Sequence, residues 1–165
     1  MTAEYFAKHL QLQPHPEGGF FKETYRSSGI ISSEYLSSDF SGDRNYSTAI
    51  YFLLRKGDFS AFHRIASDEC WHFYEGGTLL VHVIDQEGKY SCICLGRKIH
   101  EGETYQFVVP ANCWFASEPA PGTEFTLVGC TVAPGFDFAD FEMAVEKTLI
   151  NQFPQHQSII ERLCR

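Results

Sequence analysis

From Tyr46 onward the chain is divided into short apolar segments of similar length, at 47–54, 59–65, 69–75, 78–84, 90–95, 104–109, 113–117 and 124–131. The residues between them are suited to tight turns: Lys56-Gly57-Asp58, Gly76-Gly77, Gln86-Glu87-Gly88, Glu101-Gly102 and Pro119-Ala120-Pro121-Gly122. Strands at such even spacing cannot bury one face alone and must close on themselves as a sandwich or barrel. The abundance of aromatics, 15 Phe, 8 Tyr and 2 Trp, points the same way, because rings suit pleated surfaces and large pockets. The expectation is a mainly β chain forming one domain over residues 1–165, since no linker, repeat or low-complexity stretch divides it.

The flanks differ in pattern. Residues 3–11 read as a short helix capped by Thr2, with Phe6 and Leu10 on one face and Pro14 and Pro16 ending it. Gly18 to Arg26 alternates aromatic and polar residues, as a half-buried first strand does. The stretch 27–45 is rich in Ser, Gly and Asp and reads as a long, mostly irregular excursion of the kind that often covers a site. In the tail 146–164, Leu149, Phe153, Ile159, Ile160 and Leu163 fall at helical spacing, and Pro154 divides two short helices.

Thirteen Lys and Arg against 21 Asp and Glu leave a net charge of −8, with no basic cluster. Nucleic acid and anionic membrane surfaces are therefore not expected partners, because both demand phosphate neutralisation. The longest wholly apolar run, Ala49 to Leu54, has six residues, far short of the roughly 20 that a bilayer-spanning helix needs. No export signal is visible at the start of the chain. The six cysteines, Cys70, Cys92, Cys94, Cys113, Cys130 and Cys164, form neither CxxC pairs nor a dense framework, so free thiols and a cytoplasmic setting are expected.

The strongest local constellation runs from Gly57 to Gly76, GDFSAFHRIASDECWHFYEG, with the spacing G-x5-H-x-I-x3-E-x6-G. It resembles the first motif of the cupin superfamily, with Ile65 in place of the second histidine. Gly102 followed by Pro110-x-Asn112-x2-Phe115 is similar to the second motif, with Phe115 where a histidine is usual. The resemblance implies a jelly-roll barrel, or double-stranded β-helix, with short C-terminal helices, and His63 and Glu69 facing its interior. In the usual pattern three histidines and a glutamate hold a first-row metal. Here Ile65 and Phe115 cannot donate electron pairs, so a metal, if bound through His63 and Glu69, needs a substitute ligand such as His72 or His82. Strand parity sends His72 away from Glu69. No metal ligands are assigned on this basis.

A wider resemblance rests on four blocks. These are His15-Pro16-Glu17-Gly18-Gly19-Phe20-Phe21-Lys22-Glu23-Thr24-Tyr25-Arg26-Ser27, Ser47 to Leu54, His63 to Gly76, and Val132-Ala133-Pro134-Gly135-Phe136-Asp137-Phe138-Ala139-Asp140-Phe141-Glu142. In that order they are similar to the cupin family DUF985, also called Cupin_5, a family without an agreed activity. That likeness implies a homodimer. The string Gly19-Phe20-Phe21-Lys22-Glu23 is also similar to one in the dTDP-sugar 3,5-epimerases, which are metal-independent cupins.

The candidate catalytic residues are His63 and Glu69. An imidazole oriented by a carboxylate, at Asp68 or Glu69, is a general base near neutral pH, and the alternative is a hydrogen-bonded core histidine. Glu69, beside Trp71 and Phe73 on one strand face, has either a raised pKa or an ion pair with Arg64 or Arg26. Glu17, Glu23 and Arg26 are candidate ligand contacts, because Gly18-Gly19 allows close backbone approach; the alternative is a turn with solvated charges. Trp71, Phe73 and Phe115 either line a ligand site or fill the core. His72 and Tyr74 share the other face with Cys70, as packing or a dimer surface. The Pro134–Phe138 string reads as a clasp across the barrel, with Asp137 or Asp140 able to cap a pocket.

The function expected is a pocket for a small polar molecule, sugar-like or nucleotide-sugar-like by family resemblance, with metal-free isomerase or epimerase chemistry. The rival readings are a metal-dependent enzyme with a non-standard ligand set and a non-catalytic ligand-binding or sensing module.

Overall fold

A computed structural model describes residues 1–165. The elements run in the order α1 (Ala3–His9), β1 (Gln13–Pro14), β2 (Phe20–Arg26), β3 (Ile30–Ile31), β4 (Arg44–Asn45), β5 (Thr48–Arg55), β6 (Ser60–Arg64), β7 (Asp68–Gly76), β8 (Leu79–Ile84), β9 (Tyr90–Leu95), β10 (Gln106–Val109), β11 (Trp114–Pro119), β12 (Phe125–Ala133), β13 (Glu142–Met143), α2 (Glu146–Gln152) and α3 (Gln157–Leu163). Each of the eight apolar segments is a strand. One sheet has the order β1-β2-β5-β12-β7-β10, the other β13-β6-β11-β8-β9, and all their pairings are antiparallel. Strands β5 to β8 alternate between the two facing sheets, β8 and β9 pair within one of them, and β9 to β12 alternate again, as in a jelly roll.

Period-2 alternation decides which side chains meet between the sheets. On β7, Glu69, Trp71 and Phe73 point inward and are buried, while Cys70, His72 and Tyr74 point outward. On β11, Phe115 points inward, and Trp114 and Ala116 point to the opposite side. The inner cluster combines Phe52, Leu54, Trp71, Leu79, Val81, Phe115 and Val128, among others. It fills only part of the barrel, since the end near His63 is left as a cavity.

Both outer faces carry helices. Leu149, Phe153, Ile160 and Leu163 of the two C-terminal helices cover Phe62, Ile84, Trp114 and Ala116 of the smaller sheet. Helix α1, capped by the Thr2 side chain accepting from the Tyr5 N–H, lays Phe6 and Leu10 over Leu53 and Leu127. It stops before the prolines expected to end it, with Gln11 at φ 57°, and Pro14 lies in β1.

The excursion 27–45 contains only the two-residue ladder β3–β4 and one turn of 3-10 helix, as its composition suggested. It does not cover the cavity. Instead it braces the segment 134–141, which does. Arg44, with a side chain only 5% exposed, forms a buried ion pair with Asp140. The Gly135 N–H donates to the Asn45 carbonyl at 2.7 Å, and the Phe136 N–H to the Thr48 hydroxyl at 2.9 Å. This strap crosses the open end of the barrel. No helix is long and apolar enough to cross a membrane. All six cysteines are free, which agrees with the reading from their spacing.

Candidate functional site

Three parts of the chain converge at the open end. The first is the turn ahead of β2. Gly18 has φ 113°, and a Cβ there would overlap the Phe59 carbonyl, so the chain passes against β6 closely enough only because the residue is glycine. The Glu17 carbonyl then accepts the Ala61 N–H at 2.8 Å, which sets the Glu17 side chain beside His63. The second part is the inward face of β6 and β7, carrying His63, Ile65 and Glu69. The third is the strap, with Phe136, Asp137, Phe138 and Phe141. Together they enclose about 230 Å3, also walled by His15, Phe21, Glu23, Arg26, Thr48, Ile50, Cys130 and Val132. This volume is below the roughly 300–1,000 Å3 of pockets for drug-sized molecules.

At its centre, His63 Nε2 lies 3.0 Å from Glu17 Oε2, with side chains 3% and 8% exposed. His63 Nδ1 is 2.7 Å from the Ala61 carbonyl, which can only accept, so Nδ1 carries a proton. In the neutral ring Nε2 then carries no hydrogen and is an acceptor facing the Glu17 carboxyl. Burial lowers the His63 pKa and pushes that of Glu17 up to about 7, so both groups favour this uncharged form.

His15 is held in the opposite tautomer. The Glu17 N–H donates to His15 Nδ1 at 3.2 Å, leaving the hydrogen of the neutral ring on Nε2. Burial lowers its pKa, which keeps that ring neutral. The Phe21 and Phe138 rings flank it, with centroids 4.5 and 6.1 Å away.

Glu69 faces the same space from β7. Its pKa is also raised to about 7 by burial, an effect partly offset by His63 and by the Cys130 thiol. The ion pairs considered for it do not form: Arg26 is bound to Glu23 and Arg64 to Glu142, each at 2.7 Å. Asp68, offered as a partner for His63, points away and accepts the Ala111 N–H at 2.8 Å. The carboxylate beside His63 is Glu17, which sequence reasoning had placed only among ligand contacts.

Glu23 and Arg26 line the cavity, and four of the five guanidinium N–H donors are engaged within the protein. The guanidinium donates to both Glu23 oxygens, at 3.0 and 2.7 Å, to Asn45 Oδ1 at 2.9 Å and to the Phe136 carbonyl at 3.1 Å. Trp71, Phe73 and Phe115 are not on the cavity wall. They fill the core beneath it, where the Phe115 ring backs that of His63 at 4.1 Å. His15, Phe21 and the strap phenylalanines are the wall residues that sequence reasoning missed. His15 and Phe21 lie in the segment His15–Ser27 that carries the family resemblance, and in sequence the strap reads as a packing clasp.

The usual cupin metal set does not fit these residues. Ile65 and Phe115 stand at two of its four positions, and no three His, Cys, Asp or Glu side chains are arranged to hold an ion. The possible substitutes are elsewhere. His72 bonds Thr131 and Gln106 on the outer face of β7, and His82 bonds Tyr90 and Glu118 on the outer face of β8. A second groove of about 570 Å3 lies alongside the strap, but its Arg64, Asp140 and Glu142 are all taken up in ion pairs.

The family model described as cupin superfamily, DUF985, matches residues 4–144. The chain belongs to that family. A hypothetical protein from Leishmania major has a similar structure, with TM-score 0.89, 35% identity and 99% of each chain covered. A protein from Shewanella oneidensis matches with TM-score 0.87 and 40% identity, over 100% of this chain and 98% of its own. The uncharacterized protein YML079W of Saccharomyces cerevisiae is 34% identical over 139 residues, 79% of this chain and 69% of that one. Oxalate decarboxylase from Bacillus subtilis shares the fold, with TM-score 0.55 at 13% identity over 91% of this chain and 36% of its own.

Proposed function

We propose that this DUF985 cupin binds a small polar organic molecule at the open end of its barrel and moves a proton on it without a metal. The observation that carries this reading is the buried contact between Glu17 and His63. Two groups that burial favours in uncharged form lie 3.0 Å apart beside a cavity, so the Glu17 carboxyl proton has an acceptor within reach. Transfer of that proton to His63 Nε2 leaves Glu17 a carboxylate, a general base facing the ligand space.

A molecule with a carbonyl group supplies the rest. The Glu17 carboxylate takes a proton from the carbon next to the carbonyl. The C–H electron pair becomes the C=C bond, and the carbonyl oxygen takes up the negative charge as an enolate. The His15 Nε2–H, neutral and free of a protein partner, is a donor for that oxygen. Where that carbon bears a hydroxyl group, passage of the hydroxyl proton to the enolate oxygen and return of the carbon-bound proton to the former carbonyl carbon complete an isomerisation with no oxidant or reductant. Sugar-like substrates remain the leading class, on the resemblance noted above. Nucleotide sugars are disfavoured, because the cavity is small and its one cation, Arg26, is already paired with Glu23 and has a single N–H left for a diphosphate.

The test is deuterium uptake from D2O into a panel of ketoses and 4-keto sugars, followed by NMR. Wild-type protein is expected to catalyse exchange at one carbon, and Glu17→Gln to slow it by about 10²–10⁴-fold. No exchange with any member, or equal rates for the two proteins, contradicts the reading.

A further inference from the structure

The charge on the cavity wall is one-sided. Glu17, Glu23, Glu69 and Asp137 contribute four carboxyl groups against one cation, Arg26. Arg26 is already paired with Glu23 and also donates to Asn45 and the Phe136 carbonyl, so four of its five N–H donors are taken within the protein. Glu69 is only 8% exposed and has no Arg or Lys beside it; its polar neighbours are His63, whose pKa burial lowers, and the weak donor of the Cys130 thiol. Phe21, Phe136, Phe138 and Phe141 supply aromatic walls to the same space.

A carboxyl group buried without a cation, in a cavity bounded by phenyl rings, is matched by one kind of ligand group. An ammonium has three N–H donors and no acceptor, so it satisfies carboxylate oxygens and adds attraction to the ring faces. A carboxylate or phosphate would meet four carboxyl groups and a single cation, Arg26, already paired with Glu23. We propose that the cavity takes a small organic molecule carrying a protonated amine, with its ammonium group seated at Glu69 between the aromatic walls. An amino sugar and an alicyclic amine both present this chemistry.

The inference rests on the cavity's being the ligand site, as in the proposed function, but not on proton transfer. The experiment compares two sets of equal-sized molecules that differ in charge: cyclohexylammonium, cyclohexanol and cyclohexanecarboxylate, and glucosamine, glucose and glucuronate. Thermal stabilisation against concentration yields an affinity for each, by mass action on the folded state. The amine of at least one set is expected to bind about tenfold more tightly than its neutral and anionic counterparts, and Glu69→Gln to remove that advantage. Should Glu69→Gln not fold, Asp137→Asn at the exposed mouth is expected to weaken amine binding about threefold without affecting cyclohexanol or glucose.

Equal or better binding by the neutral or anionic members overturns the inference. So does the absence of a shift with either amine, or an amine preference that survives Glu69→Gln. Amine selectivity without deuterium uptake removes the proton-transfer reading and leaves this one standing; deuterium uptake without amine selectivity does the reverse.

Discussion

Glu17 and His63 meet across the barrel end at 3.0 Å although they belong to different strands' approaches, one before β2 and one within β6. What joins them is backbone. The Glu17 carbonyl is hydrogen-bonded to Ala61, and Gly18 permits the crossing. The acid/base pair therefore depends on a turn as much as on the two side chains.

Gly18→Ala tests that dependence. The added methyl meets the Phe59 carbonyl at a backbone φ of 113°, so a loss of about 2 kcal/mol or more is expected. Chemical denaturation measures it. A change within about 0.5 kcal/mol would show that the turn relaxes freely.

Glu69→Gln has a pH-dependent sign. The ordinary carboxyl pKa of 4.5 is raised in the folded protein to about 7, so the folded state holds a proton that the unfolded state has released between those values. The stability contributed by the protonated form is fully present below about 4.5 and is lost as pH rises through about 7. A neutral amide escapes that loss. The variant is expected to gain on wild type by on the order of 1–3 kcal/mol at pH 8 relative to pH 5. Parallel stability curves for the two proteins across this range would contradict the burial account.

The strap depends on Arg44 and Asp140, whose side chains are each 5% exposed. Removing one partner leaves an uncompensated buried charge, so Arg44→Met is expected to cost about 3–5 kcal/mol. Arg44→Met combined with Asp140→Leu is expected to recover much of that loss. Thermal unfolding of the single and double variants checks both outcomes. Additive losses would show that the pair is not coupled.

Phe138 is 53% exposed at the cavity mouth, and little of the core rests on it. Phe138→Ala is expected to change stability by less than about 1 kcal/mol and to weaken ligand binding about five- to tenfold. Unchanged affinity for a ligand identified by thermal shift would remove the strap from the site.

The strands were legible because each apolar segment is short and bounded by turn residues, and because alternation on 69–75 already placed Glu69, Trp71 and Phe73 on one face. His63 and Glu69 were legible through motif spacing. The partnership of Glu17 with His63 was not, since it arises from a hydrogen bond between distant segments and leaves only Gly18-Gly19 as a local trace. Asp68 was the nearer carboxylate in sequence, but strand parity turns it outward. The aromatic strap was hidden for a related reason. Phe136 and Phe138 read as packing residues until Arg44 and Asn45, from an irregular stretch, are seen to hold them over the barrel end.

In the proposed site, the Glu17 carboxyl proton is donated to His63 Nε2 while His15 is fixed in the other tautomer. Nitrogen-15 NMR of the histidine rings in wild type and Glu17→Gln measures this most directly. The expected spectrum shows a proton on His63 Nδ1, a hydrogen-bonded and unprotonated Nε2, a proton on His15 Nε2, and a change at His63 Nε2 in the variant. A His63 ring that carries its neutral proton on Nε2, or titrates identically with and without the Glu17 carboxyl, would contradict it.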